Sequence, residues 1–237
     1  LLIDRELVSN NCQILGLIQK ENDQMRVVVD MRLTPSAGEL GATTLMKDIS
    51  INGQKVSAST LISAVKAVMF SVQDIDLIAG SPATRRRFLD ILISRFDRHY
   101  LRSLQKYQRV IYQRNHLLKF IKEQKASISE LEFWNDSMVE AGSYIIHKRH
   151  SVVEQLSSNV VSLYGELGNS KEDIAVNYAP SLMPGNYEED TIKSSFTYIL
   201  QSELEKDIAL GSTQNGPHRD DLNIFIDDKK ASNYASR

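Results

Sequence analysis

The residues best suited to chemistry form one short run, His218-Arg219-Asp220-Asp221, which follows Gly216-Pro217. Protein kinases have His-Arg-Asp in their catalytic loop, but that loop needs Asn five residues after the Asp, where this sequence has Phe225. A kinase site is therefore excluded. Two carboxylates and a histidine could instead hold Mg²⁺ for phosphodiester cleavage. We favour a structural interpretation, in which an Arg–Asp network pins a turn before a strand.

A second set of residues is defined by charge. Residues 85–125 contain twelve Lys and Arg but three acids, a net charge of +9, so the rest of the chain carries −11 and the total is −2. Such arrays bind polyphosphate backbones by counterion release, and arginine adds bidentate phosphate contacts. The alternative is a solvated helix face paired with an acidic surface. We predict DNA as the partner, with phosphate contacts from Arg85, Arg86, Arg87, Arg95, Arg102, Arg109 and Arg114.

Several other kinds of site find no support in the sequence. None of the 11 glycines is followed by Lys, so a Gly-x-x-x-x-Gly-Lys phosphate loop is absent. Cys12 is the only cysteine, which excludes an internal disulfide and a cysteine-rich zinc site and favours a reducing, cytoplasmic location. His147 and His150 lie one helical turn apart, and we interpret them as solvated helix positions. We predict no metal site. No apolar run approaches the roughly 18 residues of a membrane span.

The elements that must position these residues begin as strands. Residues 12–18 and 26–33 are β-branched, partly alternating runs separated by polar residues, as a hairpin requires. Asn52-Gly53 predicts the tight turn of a second hairpin. The other elements predicted by pattern are a buried strand at 67–70, strands at 174–178 and 223–226, and an amphipathic helix from about 190 to 206.

A helical segment interrupts these strands. Ser81 can cap the first free amides and Pro82 takes the first helical position. Apolar residues then recur every three or four positions from 101 to 121, except where Arg114 interrupts the stripe. Ser127 and Glu130 predict a capping box for a second long helix. We expect the two helices to pack as an antiparallel, coiled-coil-like hairpin.

Together these motifs resemble the RecF family of recombination and repair proteins. The matching blocks occur in the family's order and span most of residues 67–237, with weaker similarity at 4–8. The blocks are residues 70–82, 85–90, 107–110, 113–115, 207–213, 216–222 and 234–237.

The resemblance implies an α/β fold with α+β character, namely a β-rich ABC-type ATPase head like that of SMC proteins, with an inserted helical-hairpin arm. We expect head residues at 1–80 and 166–237 and arm residues at 81–165. RecF proteins bind ATP between two heads, dimerise on doing so, bind DNA and help load recombinase at gaps. The resemblance therefore implies ATP and Mg²⁺ as cofactors of the complete protein. The partners that it implies are gapped or junction DNA, RecO, RecR and a second copy of the same protein. We expect no association with a membrane.

Three residues fall at nucleotide-binding positions of the family. Gln73 and Asp74 lie at the Q-loop, which senses the Mg²⁺-bound γ-phosphate, although most RecF sequences read Pro-Glu-Asp there. Ser236 matches the first residue of the signature motif, which touches the nucleotide of the opposite subunit. The P-loop and Walker B acid are expected outside this chain, so we assign no catalytic residue and expect no ATPase activity from it alone. Two alternatives remain open: a non-enzymatic hairpin that docks an acidic protein, and a metal nuclease.

Overall fold

The computed structural model describes residues 11–20, 23–35, 43–65, 71–167 and 172–234. The chain divides into two compact units, Leu1–Ala67 and Val68–Arg237. The second unit contains both the predicted arm and the resumed strand region. The three-part division at 1–80, 81–165 and 166–237 stays a prediction.

The first unit contains an antiparallel sheet whose four described strands have the order β1-β2-β3-β4. Its strands and the helix after them are β1 (Asn11–Lys20), β2 (Asp23–Pro35), β3 (Thr43–Ile51), β4 (Gln54–Val56) and α1 (Ala58–Ala64). The predicted first hairpin is confirmed, because β1 and β2 pair along their length. The buried residues Val27 and Met31 are four apart and therefore share one face of β2.

The turn between β3 and β4 is built by Asn52 and Gly53. Both residues have positive φ, 50° and 82°, as a type I′ turn requires. The Asn52 side chain also accepts a hydrogen bond from the Arg26 amide at 2.8 Å, which ties the turn to β2. The second hairpin is thereby confirmed. The strand predicted at 67–70 lies outside the described residues.

The described part of the second unit combines helices with an antiparallel sheet of strand order β5-β6-β7. The helices are α2 (Asp76–Ala79), α3 (Pro82–Ser94), α4 (Arg98–Lys122), α5 (Glu132–Leu167), α6 (Glu189–Ser202) and α7 (Leu204–Leu210). The strands are β5 (Ile174–Ala179), β6 (Asp221–Ile226) and β7 (Lys229–Lys230). No helix in the described ranges of the chain is long and apolar enough to cross a membrane.

Side-chain caps set where the long helices begin. Ser81 accepts from the Thr84 amide with Pro82 in the first turn of α3, as predicted. Asp97 caps α4 by accepting from the Tyr100 amide at 2.9 Å. The predicted capping box of Ser127 and Glu130 is also present, and it opens a short 3₁₀ turn that leads into α5. These local hydrogen bonds satisfy amides that no helical carbonyl can reach.

Helices α4 and α5 form the antiparallel pair that the sequence predicts. Tyr100, near the start of α4, contacts Arg149 well inside α5, while Arg114 in the second half of α4 contacts Asn135 near the start of α5. Helix α6 closes the core between them, because Phe196 packs so near Gly142 that a Cβ there would lie 2.5 Å from its ring. The main buried cluster includes Tyr100, Tyr107, Val110, Met138, Ile145, Ile146, Leu182, Ile192, Phe196 and Leu200.

The prediction of one continuous helix from about 190 to 206 is wrong. The segment is two helices, α6 and α7, which meet at Glu203. The break lets Leu204 and Ile208 pack beside Leu118 and Ile121 of α4. The amphipathic spacing of this segment predicts one continuous helix, but packing against α4 overrides that local preference.

Candidate functional site

The turn at residues 216–221 holds a buried carboxylate, Asp220. One of its oxygens accepts from the Ser181 amide at 2.8 Å, and the other accepts from the Tyr178 hydroxyl and from Arg149 Nη1. Burial raises the pKa of Asp220, while the positive charge of Arg149 opposes that shift. Gly216 is needed here because its φ is 131° and a Cβ would lie 2.5 Å from the Tyr107 hydroxyl.

Arg149 of α5 joins this turn to the helices. Its side chain is 2% exposed and donates from Nη2 to Asp90 of α3 at 2.8 Å. Its Nη1 donates to the Pro217 carbonyl at 2.7 Å as well as to Asp220. Tyr100 completes the network by donating its hydroxyl proton to Asp90 at 2.5 Å. One guanidinium thus connects α3, α4, α5 and the turn before β6.

Asp221 pairs with Arg85 on the neighbouring side of the turn. Arg85 Nε and Nη2 donate to the two carboxylate oxygens at 2.7 and 3.0 Å, and Nη1 donates to the Gly80 carbonyl. Burial would raise the pKa of Asp221, but the hydrogen bonds from Arg85 outweigh it and hold that pKa below its usual value. Arg86 adds a bond to the Asp220 carbonyl at 2.6 Å. The start of α3 is therefore fixed to the start of β6.

His218 is held neutral in the same interior. Its Nε2 lies 3.1 Å from the Thr213 carbonyl, which can only accept, so Nε2 carries the proton. Its Nδ1 consequently accepts from the Tyr107 hydroxyl at 2.8 Å. Burial lowers the pKa of His218 to about 4. The ring is a structural link between α4 and the turn, because both of its nitrogens have partners.

These hydrogen bonds exclude the metal-nuclease alternative. Both carboxylates are already occupied: Asp220 by Ser181, Tyr178 and Arg149, and Asp221 by Arg85. Within the described ranges no group of three or more His, Cys, Asp and Glu side chains is arranged to hold a metal ion. These contacts assign the turn a role in positioning the helices.

A second buried network centres on Arg114 of α4. Its side chain has no exposed area, and Nη1 donates to Asp207 at 2.8 Å and to the Thr213 hydroxyl at 2.6 Å. Asn115 holds Thr213 from the other side. Arg114 and Arg85 are therefore withdrawn from the predicted phosphate contacts, since their side chains are 0% and 5% exposed and are paired with carboxylates inside the fold.

The remaining predicted arginines have different environments. Arg87, Arg102 and Arg109 are exposed, whereas Arg86 and Arg95 are half-buried. Arg109 also donates to the Gln105 carbonyl of its own helix.

The solvent side of α4 carries exposed arginines and no acidic residue. The 25-residue helix contains no Asp or Glu, and its buried positions recur every three or four residues along one side. The opposite side carries exposed residues spaced three or four apart, which therefore lie on one face. We define the α4 basic face as Arg98, Arg102, Gln105, Arg109, Tyr112 and Gln113. Arg98 belongs to the basic stretch of the sequence but was not among the predicted phosphate contacts.

The predicted nucleotide contacts are only partly within the described residues. Asp74 is exposed, and its carboxylate accepts from the Ser71 amide at 2.5 Å, which closes a 3₁₀ turn at Val72–Ile75. Gln73 lies in the same turn. Ser236 lies outside the described residues. One exposed carboxylate could meet a hydrated Mg²⁺, but it does not cradle a triphosphate.

The paired histidines of α5 are not the solvated positions that we expected. Both are half-buried against Tyr187. His147 is hydrogen-bonded to the Tyr187 carbonyl, and the ring of His150 stacks on the Tyr187 ring at 3.5 Å. Both therefore pack the loop before α6 onto α5.

No protein-family model matches the chain. Curated relatives do match it, however. It is 34% identical over 212 residues to the "DNA replication and repair protein RecF" of Herpetosiphon aurantiacus, covering 89% of this chain and 53% of the relative. It is 32% identical to the protein of the same name from Roseiflexus castenholzii, covering 99% of this chain and 64% of that one. The chain belongs to the RecF family. It spans between half and two thirds of the length of these relatives.

Solved RecF structures share the fold. A RecF–ATP structure superposes with a TM-score of 0.84 at 27% identity, covering 97% of this chain and 59% of the other. A second RecF structure gives 0.83 at 28% identity, covering 98% and 60%. Both are described as a recombination mediator protein in the RecFOR pathway. The α/β fold class predicted from the RecF resemblance is thereby confirmed.

Proposed function

We propose that this chain is part of a RecF-like, ATP-dependent DNA-binding protein that acts in recombinational repair and replication restart, where recombinase is loaded at gapped DNA. The names of its relatives support a role in DNA replication and repair. The observation that carries the proposal is the α4 basic face, because an acid-free helix with exposed arginines is suited to a phosphate backbone.

The geometry of this face suits contacts that do not read sequence. Arg98, Arg102 and Arg109 lie on one side of a single helix, and the first and last of them are about 16 Å apart along its axis. That length covers several phosphates of one strand, which are about 3.4 Å apart along the axis of a duplex. Arg87 of α3, which is also one of the predicted phosphate contacts, is exposed as well. Phosphate contacts of this kind position DNA without specifying bases.

The buried networks give the face a fixed support. Arg114 anchors the inner side of α4 to Asp207, and Tyr107 anchors it to His218. An array of cations binds a regular polyanion better when less motion is lost on binding. We therefore assign the interior arginines a positioning role and the exposed ones a binding role.

ATP, Mg²⁺ and protein partners belong to the proposal for the longer protein. The RecF structures described with ATP and the RecFOR pathway support ATP binding there and cooperation with RecO and RecR. In that protein ATP would clamp two copies together, and their basic faces would then grip gapped or junction DNA in the cytoplasm. The chain alone lacks Gly-x-x-x-x-Gly-Lys, so we expect it to show no ATP turnover.

DNA binding by the full chain tests the proposal directly. We would measure the affinity for a gapped duplex at several salt concentrations, with and without ATP and Mg²⁺. Replacing Arg98, Arg102 and Arg109 with Ala should weaken binding and reduce the salt slope by about 0.9 for each phosphate that is no longer neutralised. The charge-matched control replaces the exposed Lys55, Lys206 and Lys229, which lie off α4, and should change neither.

Two outcomes would contradict the proposal. One is an unchanged affinity and salt slope in the arginine variant with the fold intact. The other is tight binding of an acidic protein at this face that excess DNA does not displace, which would favour the hairpin docking module instead.

A further inference from the structure

The α4 basic face carries a ring that is mostly open to solvent. Tyr112 is 70% exposed and lies between arginines and glutamines of the same helix. Beside it is a shallow groove of about 560 Å³, lined by Gln105, Gln108, Arg109, Tyr112 and Gln113. The ring therefore forms part of a surface depression with cationic and amide walls.

Two more rings continue along the helix. His116 and Phe120 follow Tyr112 at successive four-residue intervals and are also exposed, with their own rings in edge contact at 4.4 Å. These two rings therefore pack on each other, whereas Tyr112 lines the groove.

The side chains around Tyr112 indicate which ligand the groove beside it would bind. An exposed aromatic face stacks on a nucleobase, whichever base it is, while nearby arginines contact the backbone. Glutamine amides can both donate to and accept from base edges. The helix contributes no carboxylate to repel the strand. We propose that Tyr112 is a stacking platform for an unpaired base, so that this face takes single-stranded nucleic acid next to the phosphate contacts.

A second tyrosine provides the comparison. Tyr198 of α6 is also 70% exposed, but α6 contains no arginine. Exposure of a tyrosine is therefore common to both helices, whereas only α4 combines it with a cationic groove. The inference rests on the proposed DNA-binding function and adds that this face binds a single strand.

The test uses the full chain and three labelled probes followed by fluorescence anisotropy: an oligothymidylate of about 15 nucleotides, its abasic counterpart and a duplex of equal length. Tyr112→Ala should weaken binding of oligothymidylate on the order of tenfold and leave duplex affinity unchanged, because stacking needs an exposed base. Tyr112→Phe keeps the ring and should bind as the parent chain does. Tyr198→Ala is the matched control and should have no effect. The abasic strand has no base to stack on the ring, so it should bind the parent chain and the Tyr112→Ala variant with equal affinity.

The outcomes separate this inference from the proposed function. If Tyr112→Ala changes nothing while the Arg98, Arg102 and Arg109 variant binds DNA less tightly, the stacking platform is wrong and the phosphate surface stands. Equal weakening for single strand and duplex would also overturn it, since a stacked duplex offers no free base. Displacement of oligothymidylate by polyglutamate at equal charge concentration would overturn it too, because such a face accepts any acidic chain. Absence of binding to every probe by the parent chain would overturn both proposals.

Discussion

The interior turn around Asp220 and the outer face of α4 both depend on arginine, but in opposite surroundings. Arg149 is enclosed by Asp90, Asp220 and a backbone carbonyl. Arg102 is exposed on a helix that has no acid. A buried guanidinium whose partners are fixed gives stability and geometry, whereas an exposed one keeps its charge for a ligand. Basic composition alone therefore does not identify the residues that bind a ligand.

The largest effect expected from this contrast is on stability. Arg149→Ala would leave Asp90 and the buried Asp220 without their cation, and breaking such a pair costs about 3–5 kcal/mol. Chemical denaturation should therefore show a decrease of that size, with the midpoint shifted accordingly. Lys148→Ala changes the neighbouring, half-exposed residue and should cost about 1 kcal/mol or less. A decrease below about 1 kcal/mol for Arg149→Ala would show that the turn does not depend on this buried pair.

A second prediction concerns pH. The pKa of His218 is lowered to about 4 from 6.5, so between these values the unfolded chain binds the additional proton. Stability from the buried neutral ring is therefore present above a pH of about 6.5 and is lost as the pH falls towards about 4, by about 3 kcal/mol in all. We would measure the free energy of unfolding across this range of pH.

His218→Gln isolates this contribution from the carboxylates that titrate nearby. The parent chain should lose more stability than the variant across the same range. Parallel profiles for the two proteins would mean that His218 is not held neutral by burial.

Arg85→Ala tests the edge of the interior network. Its partner Asp221 is 18% exposed and can regain some water. We therefore expect a smaller decrease in stability, about 2 kcal/mol by thermal or chemical unfolding. DNA affinity per folded molecule should be unchanged. Weaker DNA binding with full stability would return Arg85 to the set of phosphate contacts.

Much of the fold could be predicted because local chemistry decides it. Asn52-Gly53, Ser81-Pro82 and the Ser127–Glu130 box act over a few residues and are present as expected. The break between α6 and α7 could not be predicted in this way, because it depends on packing against α4, which is distant in sequence.

The site was harder to predict because pairing is a property of the tertiary structure. Arg85 and Arg114 count as basic residues in the sequence, yet their carboxylate partners lie 136 and 93 residues away. One signal was present: Arg114 and Arg149 each interrupt an apolar helical stripe. A charged residue on the buried side of a helix indicates a buried pair, and this rule separates Arg114 from Arg109 without a structure.

The smallest effect on stability is expected at the outer face. Replacing Arg98, Arg102 and Arg109 with Ala changes exposed side chains only, so the free energy of unfolding should stay within about 0.5 kcal/mol of the parent value. Chemical denaturation of this variant beside the parent chain checks the expectation. A decrease as large as that of Arg85→Ala would mean that these arginines support the fold.

The salt dependence of gapped-DNA affinity, measured side by side for that variant and for Arg85→Ala, tests the division between positioning and binding arginines most directly. We predict a flattened salt slope with unchanged stability for the α4 variant, and reduced stability with an unchanged slope for Arg85→Ala. The reverse pattern, or equal slopes in both, would contradict the account.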